Sequence, residues 1–292
     1  MIDRAGAEPP LCLPPRPTIP GPIHSFPAGT VDTHFHVFET GAPLAPQRNY
    51  TPHMITLDDW LAFAAAFGIE RGVLIQPSVY GSDNTVLLKA LAMDPERLRG
   101  VAVVDANASA SELRRLHAAG VRGIRINTRN PGGLGLADFD RIAARLAPLG
   151  WHIQLLVGSQ SLDILRSSAS SSPVPLVVDH FGLLPVDDPA NLPAAVASLR
   201  RALDTGNCYV KLSAPYRLTS GRRPHEFAEI VRTLVRGHAD RVLWGSDWPH
   251  TELFADMPGD DDLVQEALTW LADHDVRRRV LITNPTRLYW DH

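Results

Sequence analysis

Short apolar runs alternate along this chain with segments whose apolar residues recur at helical spacing. The runs VLIQ, VAVV, IQLLV, LVVD and RVLW are apolar without alternation, as expected when both faces of a parallel strand are buried. The segments between them carry the three- and four-residue apolar spacing that is typical of amphipathic helices. From residue 30 onward this rhythm predicts eight β-then-α units.

The predicted strands cover residues 31–38, 72–76, 100–104, 123–127, 151–157, 176–180, 208–212 and 242–246. Eight such units in about 250 residues are typical of a single (β/α)8 TIM barrel, which belongs to the α/β class. A doubly wound open sheet is the alternative, but no GxGxxG motif follows the first strand. The nearest glycine-rich segment, 132–135, has the wrong spacing, and we interpret it as a mobile loop over the site.

Residues 1–29 are predicted to form a Pro-rich N-terminal arm ahead of a barrel over residues 30–292. Eight of the 25 prolines lie within the first 27 residues, and this stretch has no continuous apolar core like that of a signal peptide. We expect an arm that is extended over the surface or partly disordered, and no export. Because Cys12 and Cys208 form no CxxC pair, a disulfide framework or zinc ribbon is excluded and a reducing cytoplasm fits best.

The composition limits the classes of partner. Hydrophobic residues make up 45% of the chain and charged residues 21%, the usual mix for a soluble globular protein. The formal net charge is −4 and no stripe of Lys and Arg is present, so nucleic acid is not expected as a partner. No stretch approaches the ~20 apolar residues that cross a bilayer, so we expect no membrane association. A small-molecule substrate fits, and the chain could be a monomer or a homo-oligomer.

Three predicted strands end in residues that carry chemistry, at the barrel face where catalytic groups lie. The first ends in DTHFH, and His34 and His36 point the same way because side chains alternate along a strand. Paired imidazoles suit a metal or the joint polarisation of a carbonyl. The sixth ends in VDHFG and the eighth in WGSDWPH, where a buried Asp needs a partner.

Four residues are predicted to converge at the barrel mouth: His34, His36, His180 and Asp247. Asp179 and His250 are expected to orient them.

These motifs resemble the amidohydrolase superfamily, of the amidohydrolase family 2 type. Within it, THFH, VVDHFG and WGSDWPH are similar to the branch that includes 2-pyrone-4,6-dicarboxylate lactonase. The resemblance covers nearly everything after residue 30, because further segments match in the same order: NYTP at 49–52, QPSVYGSDN at 76–84, AGVRGIRIN at 119–127, LGW at 149–151 and NPTRLYW at 284–290. It implies a hydrolase that opens a lactone ring.

The resemblance also implies roles for individual residues. Asp247 would act as a general base toward water, while the three histidines would stabilise the oxyanion that develops on the attacked carbonyl. Five residues are expected to contact the substrate: Arg125, Arg217, Tyr50, Ser78 and Tyr80. The two arginines would grip a substrate carboxylate through a bidentate fork.

Three positions depart from the lactonase pattern. Where that enzyme has polar substrate contacts, this chain has Leu156, Leu183 and Pro131, although Arg129 lies near the last of them. Each lost charge-assisted hydrogen bond would weaken binding by about 1.5–3 kcal/mol. We therefore expect a less charged, more apolar lactone that keeps one carboxylate or a comparable polar group.

The resemblance implies no cofactor, because related lactonases work without one and Asp247 is needed as a free base. A binuclear centre is not expected, since the fifth strand, WHIQLLVG, offers no ligand at its exit. The alternative is one divalent ion, zinc or manganese, held by His34, His36, His180 and Asp247.

Two other interpretations of the site stay open. One is another reaction of the same superfamily, by a mononuclear zinc-dependent decarboxylase of an aromatic or enoic acid or by an amide hydrolase. The other is a non-catalytic binding barrel, which should have lost some of the four polar residues. For the lactonase we expect a cytoplasmic role in the catabolism of aromatic compounds.

Overall fold

The computed structural model describes residues 8–18, 21–130, 134–221 and 223–291. Eight parallel strands are hydrogen-bonded in chain order: β1 (Thr30–Phe35), β2 (Ile69–Ile75), β3 (Leu98–Ala102), β4 (Val121–Asn127), β5 (His152–Leu156), β6 (Leu176–Val178), β7 (Cys208–Leu212) and β8 (Val242–Trp244). The α-helices of the described residues are α1 (Leu57–Phe67), α2 (Thr85–Met93), α3 (Ala110–Ala118), α4 (Phe139–Leu146), α5 (Leu162–Ser171), α6 (Leu192–Leu203), α7 (Pro224–Val235), α8 (Asp260–Trp270), α9 (His274–Arg278) and α10 (Asn284–Tyr289). A helix follows every strand, so the predicted (β/α)8 barrel is confirmed.

The barrel closes between residues just beyond the end of β8 and residues at the end of β1. The backbone N–H of His36 donates to the Trp248 carbonyl at 2.9 Å, and that of Asp247 donates to the His34 carbonyl at 2.8 Å. Gly245 permits this approach, because a Cβ at that position would lie 2.6 Å from the His34 Cβ. The closure therefore places the site residues of the first and last strands side by side.

Several strands end earlier than predicted, including three that lead into the cluster of His and Asp residues. β1 ends at Phe35 instead of continuing to residue 38, β6 ends at Val178 instead of His180, and β8 ends at Trp244 instead of residue 246. His180 and Asp247 have φ angles of +50° and +60°, which are unfavourable for residues with a Cβ. These turns of the backbone lie where β6 and β8 reach the barrel mouth, and strand periodicity alone does not predict them.

Part of the N-terminal arm lies against two loops at the barrel mouth. Cys12 N donates to the Thr51 carbonyl at 3.0 Å, and Thr51 N donates to the Pro10 carbonyl at 2.8 Å. Leu13 N donates to the Leu253 carbonyl at 2.7 Å. The arm thus joins the loop that follows β1 to the loop that follows β8.

A layer of apolar side chains packs between the strands and the helices, with Trp60 and Trp151 among its largest fully buried members. Over the described residues, no helix has the length and apolar character required to span a membrane. Residues 131–133, which include Pro131 and part of the glycine-rich segment interpreted as a mobile loop, lie outside the described residues.

Candidate active site

Three imidazole nitrogens surround one carboxylate oxygen at the barrel mouth. The Nε2 atoms of His34, His36 and His180 lie 3.5, 3.9 and 3.7 Å from Oδ1 of Asp247. All four side chains are buried. In the described part of the chain, His34 Nε2 and Asp247 Oδ1 have no hydrogen-bond partner. The structure thus brings the four predicted residues together and leaves buried polar atoms without a partner between them.

The other oxygen of Asp247 is held by neighbouring side chains. Oδ2 accepts hydrogen bonds from the Tyr216 hydroxyl at 2.7 Å and from Arg217 Nε at 2.8 Å. Burial alone would raise the pKa of Asp247, but Arg217 and the surrounding histidines outweigh it and hold the pKa well below its usual range. Asp247 is therefore a carboxylate at neutral pH, with one oxygen bound and the other available.

The protonation of His36 follows from its hydrogen bond. Burial lowers the pKa of His36 to about 4, so the ring is neutral at pH 7. Its Nδ1 lies 2.7 Å from the Ile75 carbonyl, which only accepts, so Nδ1 carries the proton and Nε2 carries a lone pair. That lone pair faces the ionised Asp247, and two acceptors repel each other unless a proton or a cation lies between them. The cluster therefore needs a donor or a positive charge at its centre.

This donor set fits one divalent metal ion. Zinc binds His nitrogen at about 2.0–2.1 Å in a tetrahedral arrangement, which sets neighbouring ligand atoms about 3.3 Å apart. The observed 3.5–3.9 Å separations from Asp247 Oδ1 are close to this value. The Ser213 hydroxyl lies 2.8 Å from Nδ1 of His180, and such outer partners orient histidine ligands. Two overlapping groups of three buried residues could hold an ion: His34 with His36 and Asp247, and His34 with Asp179 and His180.

A buried carboxylate lies below the cluster. Oδ2 of Asp179 accepts from Arg125 Nε at 3.1 Å and Nη2 at 3.0 Å, and from Gln154 Nε2 at 3.1 Å. Its Oδ1 lies 3.3 Å from Nδ1 of His34. Asp179 thus lies beside His34, as expected for an orienting residue. Arg125 was expected to grip a substrate carboxylate, but its Nε and Nη2 are already bound to Asp179.

A cavity that opens to solvent adjoins the cluster. Seven of the predicted site residues line it: His36, Tyr50, Ser78, Arg125, His180, Arg217 and Asp247. The hydroxyl of Ser78 accepts a hydrogen bond from Asn130 at 3.1 Å. Tyr80 is not part of this lining, and its hydroxyl accepts from the Glu39 backbone N–H at 3.1 Å, so its contact with a substrate stays a prediction.

A family model described as amidohydrolase matches residues 31–290. The chain belongs to the amidohydrolase family. It is 34% identical over 288 residues to a 2-pyrone-4,6-dicarboxylate hydrolase of Comamonas testosteroni, with 92% of each chain covered. It is 33% identical over 296 residues to a 4-sulfomuconolactone hydrolase of Rhizobium radiobacter, with 98% of each chain covered. A crystal structure of a probable 2-pyrone-4,6-dicarboxylic acid hydrolase from Acinetobacter baumannii, with citric acid bound, matches at 27% identity and a TM-score of 0.78, over 89% of this chain and 99% of that one. The family resemblance predicted from the motifs is confirmed.

The three departures noted in the sequence lie in different places in this amidohydrolase. Leu156 lines the cavity, so one wall is apolar as expected. Leu183 packs against the hydrophobic core and is not part of the cavity lining. Pro131 lies outside the described residues. Of the three, only Leu156 is thus seen to make the cavity less polar.

Lys211 is a buried lysine in the barrel interior that the sequence reasoning missed. Its Nζ donates to the Thr33 carbonyl at 2.7 Å and to Gln154 Oε1 at 2.8 Å, and it lies 3.4 Å from Nδ1 of His34. Burial lowers its pKa to about 8. The signal was a lysine within the apolar strand CYVKL, but only strand exits were searched for site residues.

Asp32 is a second missed residue, and it fixes β1 against the end of β8. Its carboxylate accepts from the backbone N–H of His34 at 3.0 Å, the N–H and hydroxyl of Ser246 at 2.9 and 2.6 Å, and the Trp60 indole at 3.2 Å. Four donors on one buried carboxylate satisfy its lone pairs. Asp32 therefore positions the backbone that carries His34.

His250 extends the support of Asp247 away from the cavity. Its Nδ1 lies 2.9 Å from the Tyr216 hydroxyl that donates to Asp247, and its Nε2 lies 2.9 Å from Asp260 Oδ1. All of these side chains are buried or nearly so. His250 thus acts on Asp247 through Tyr216, which is the geometry expected of an orienting residue.

Proposed function

We propose that this amidohydrolase opens the ring of a carboxylated or moderately polar lactone by attack of water. The observation that carries the proposal is the ionised carboxylate of Asp247, whose Oδ1 has no partner in the described part of the chain, beside a cavity that opens to solvent. Two relatives that match it over at least 92% of both chains are named as lactone hydrolases, which supports the same class of substrate.

Asp247 is the proton acceptor in the proposed reaction. A water molecule between its Oδ1 and the lactone carbonyl transfers a proton to Asp247 as the water oxygen bonds to the carbonyl carbon. The ring C–O bond then breaks, and the same proton passes to the departing ring oxygen. The sum is one lactone and one water converted into one open-chain hydroxy acid.

The negative charge on the attacked carbonyl oxygen must be stabilised, because a carboxylate of low pKa is a weak base on its own. Neutral His36 offers no proton at Nε2, since its Nδ1 donates to Ile75. We therefore propose that His34, His36, His180 and Asp247 hold one divalent ion, zinc or manganese, in place of the metal-free site expected from the sequence. Asp247 would then serve both as a ligand of the ion and as the base. When bound, such an ion polarises a carbonyl and lowers the pKa of water.

The proposal also covers the partner of the enzyme, its compartment and its pathway. A small-molecule lactone would be its main partner, in a cytoplasmic catabolic route for aromatic compounds. The two thiols, Cys12 and Cys208, are buried and unpaired, which is compatible with a reducing compartment. Tyr50, Ser78 and Arg217 line the cavity and are proposed to contact the substrate.

The test is a panel of neutral, monocarboxylated and dicarboxylated lactones, with hydroxybenzoic acids included for the decarboxylase alternative and simple amides for the amide hydrolase. Acid release is followed at constant pH, and carbon dioxide is measured in parallel. We expect acid release from a lactone and no carbon dioxide from the acids. Carbon dioxide release, or cleavage of amides but not of lactones, would reject the lactonase in favour of the corresponding alternative.

A further inference from the structure

The cavity contains one acidic side chain that the proposed reaction does not use. Glu252 lies in the loop after β8 and lines the cavity together with Tyr50 and Arg217. Within the ranges that the structure describes, its carboxylate forms no hydrogen bond or ion pair. An unpaired carboxylate in a cavity wall repels anionic groups of a ligand and accepts hydrogen bonds from neutral ones.

Most of the other charged side chains that line the cavity form ion pairs. Arg217 is bound to Asp247, and Arg125 is bound to Asp179 behind the wall. Arg129 is the remaining lining arginine, and no carboxylate within the described ranges pairs with its guanidinium. One cation and one anion of the described lining are thus free to meet a ligand.

The position of Glu252 is fixed by its surroundings. Leu13 of the N-terminal arm donates to the carbonyl of the next residue, Leu253, at 2.7 Å. The carbonyl of the preceding residue, Thr251, accepts from Arg217 Nη2 at 2.7 Å. The backbone on both sides of Glu252 is thus held by hydrogen bonds at the cavity wall.

We propose that Glu252 selects lactones with a single negative charge. It would repel a second anionic substituent and accept a hydrogen bond from an uncharged donor such as a hydroxyl, while Arg129 meets the one anion. This inference rests on the proposed lactonase function for its substrate. In the sequence analysis, the preference for a less charged lactone was attributed only to lost polar contacts. This inference attributes part of that preference to Glu252.

Binding of unreactive ligands tests the selection without turnover. Benzoate and benzene-1,3-dicarboxylate differ by one carboxylate, and their dissociation constants can be measured by calorimetry for wild type, Glu252→Gln and Glu252→Asp. We expect wild type to prefer benzoate, and Glu252→Gln to shift the ratio of the two constants by about 10-fold toward the dicarboxylate, since one like-charge contact is removed. Glu252→Asp keeps the charge and should keep the preference. An unchanged ratio in Glu252→Gln, or a preference for benzoate lost equally in Glu252→Asp, would overturn the proposal.

Turnover of matched lactones separates this inference from the lactonase proposal. The ratio of kcat/KM for 2-pyrone-6-carboxylate to that for 2-pyrone-4,6-dicarboxylate should fall by about 10-fold in Glu252→Gln. If the ligand ratios respond as expected but no lactone is opened, the lactonase proposal fails and charge selection by Glu252 stands. If both pyrones are opened and neither ratio responds to Glu252→Gln, the selection fails and the lactonase proposal stands.

Discussion

Arg217 and Asp247 are joined by a 2.8 Å hydrogen bond from Nε to Oδ2, and this bond leaves Oδ1 near the three imidazoles. Arg217 is itself fixed by a 2.7 Å hydrogen bond to the Thr251 carbonyl. The guanidinium thus keeps Asp247 ionised and sets its orientation. One oxygen of the Asp247 carboxylate, Oδ2, is thus held by hydrogen bonds. The other, Oδ1, is left to accept a proton.

The first prediction concerns the free oxygen. Replacing Asp247 with Asn keeps the shape of the side chain but removes its ability to accept a proton, so kcat for lactone opening should fall by at least ~100-fold. Circular dichroism should show an intact fold. Asp275→Asn, at a side chain that is 87% exposed on α9, is the matched control and should retain full activity. A residual rate above a tenth of wild type in the Asp247 variant would contradict the assigned role.

The second prediction concerns the contact between β8 and β1. A methyl group added by Gly245→Ala would lie 2.6 Å from the His34 Cβ, so the two strands must move apart. We expect the free energy of unfolding to fall by about 1–3 kcal/mol, and kcat to fall because His34 is displaced. Gly221→Ala is the control, since nothing lies within 4 Å of a Cβ there. Equal stability and activity in the two variants would show that the closure tolerates the change.

The third prediction concerns the arm. Deletion of residues 1–13 removes the hydrogen bonds from Cys12 to Thr51 and from Leu13 to Leu253, in the two loops that carry Tyr50 and Glu252. The lining should become less ordered, so KM should rise about 3- to 10-fold with a smaller change in kcat. Deletion of residues 1–7 keeps these hydrogen bonds and is the control. An unchanged KM in the longer deletion would mean that the arm does not position the lining.

The alternation of side chains along a strand was enough to predict that His34 and His36 face the same way. Their meeting with His180 and Asp247 followed from the rule that catalytic residues lie at the strand exits of a barrel. The sequence could not show the left-handed backbone at His180 and Asp247, because those angles depend on tertiary contacts.

Partners within the barrel were harder to predict than the residues at its mouth. Arg125 and Asp179 lie 54 positions apart, on β4 and just after β6, and only the assembly of these strands on either side of β5 brings them to 3.0 Å. Lys211 was not predicted because it lies within β7 and not at its exit, where site residues were expected; Gln154 and a backbone carbonyl accept its hydrogen bonds. The hydrogen bond from the Glu39 backbone N–H to the Tyr80 hydroxyl likewise joins residues far apart in the chain and was not predicted.

The last prediction concerns the metal. Neutral His36 directs the lone pair of Nε2 at ionised Asp247, and a divalent ion between them would convert that repulsion into coordination. After incubation with zinc and gel filtration, the protein should hold about one zinc per chain by mass spectrometry, as a mononuclear site requires. His36→Asn and His180→Asn should each reduce this occupancy to below half, whereas His274→Asn, at a side chain that is 88% exposed, should not. A chelator should abolish lactone opening, and zinc or manganese should restore it. Full activity in protein shown to contain no metal would reject the ion and support the metal-free site expected from the sequence, in which a proton must lie between His36 and Asp247.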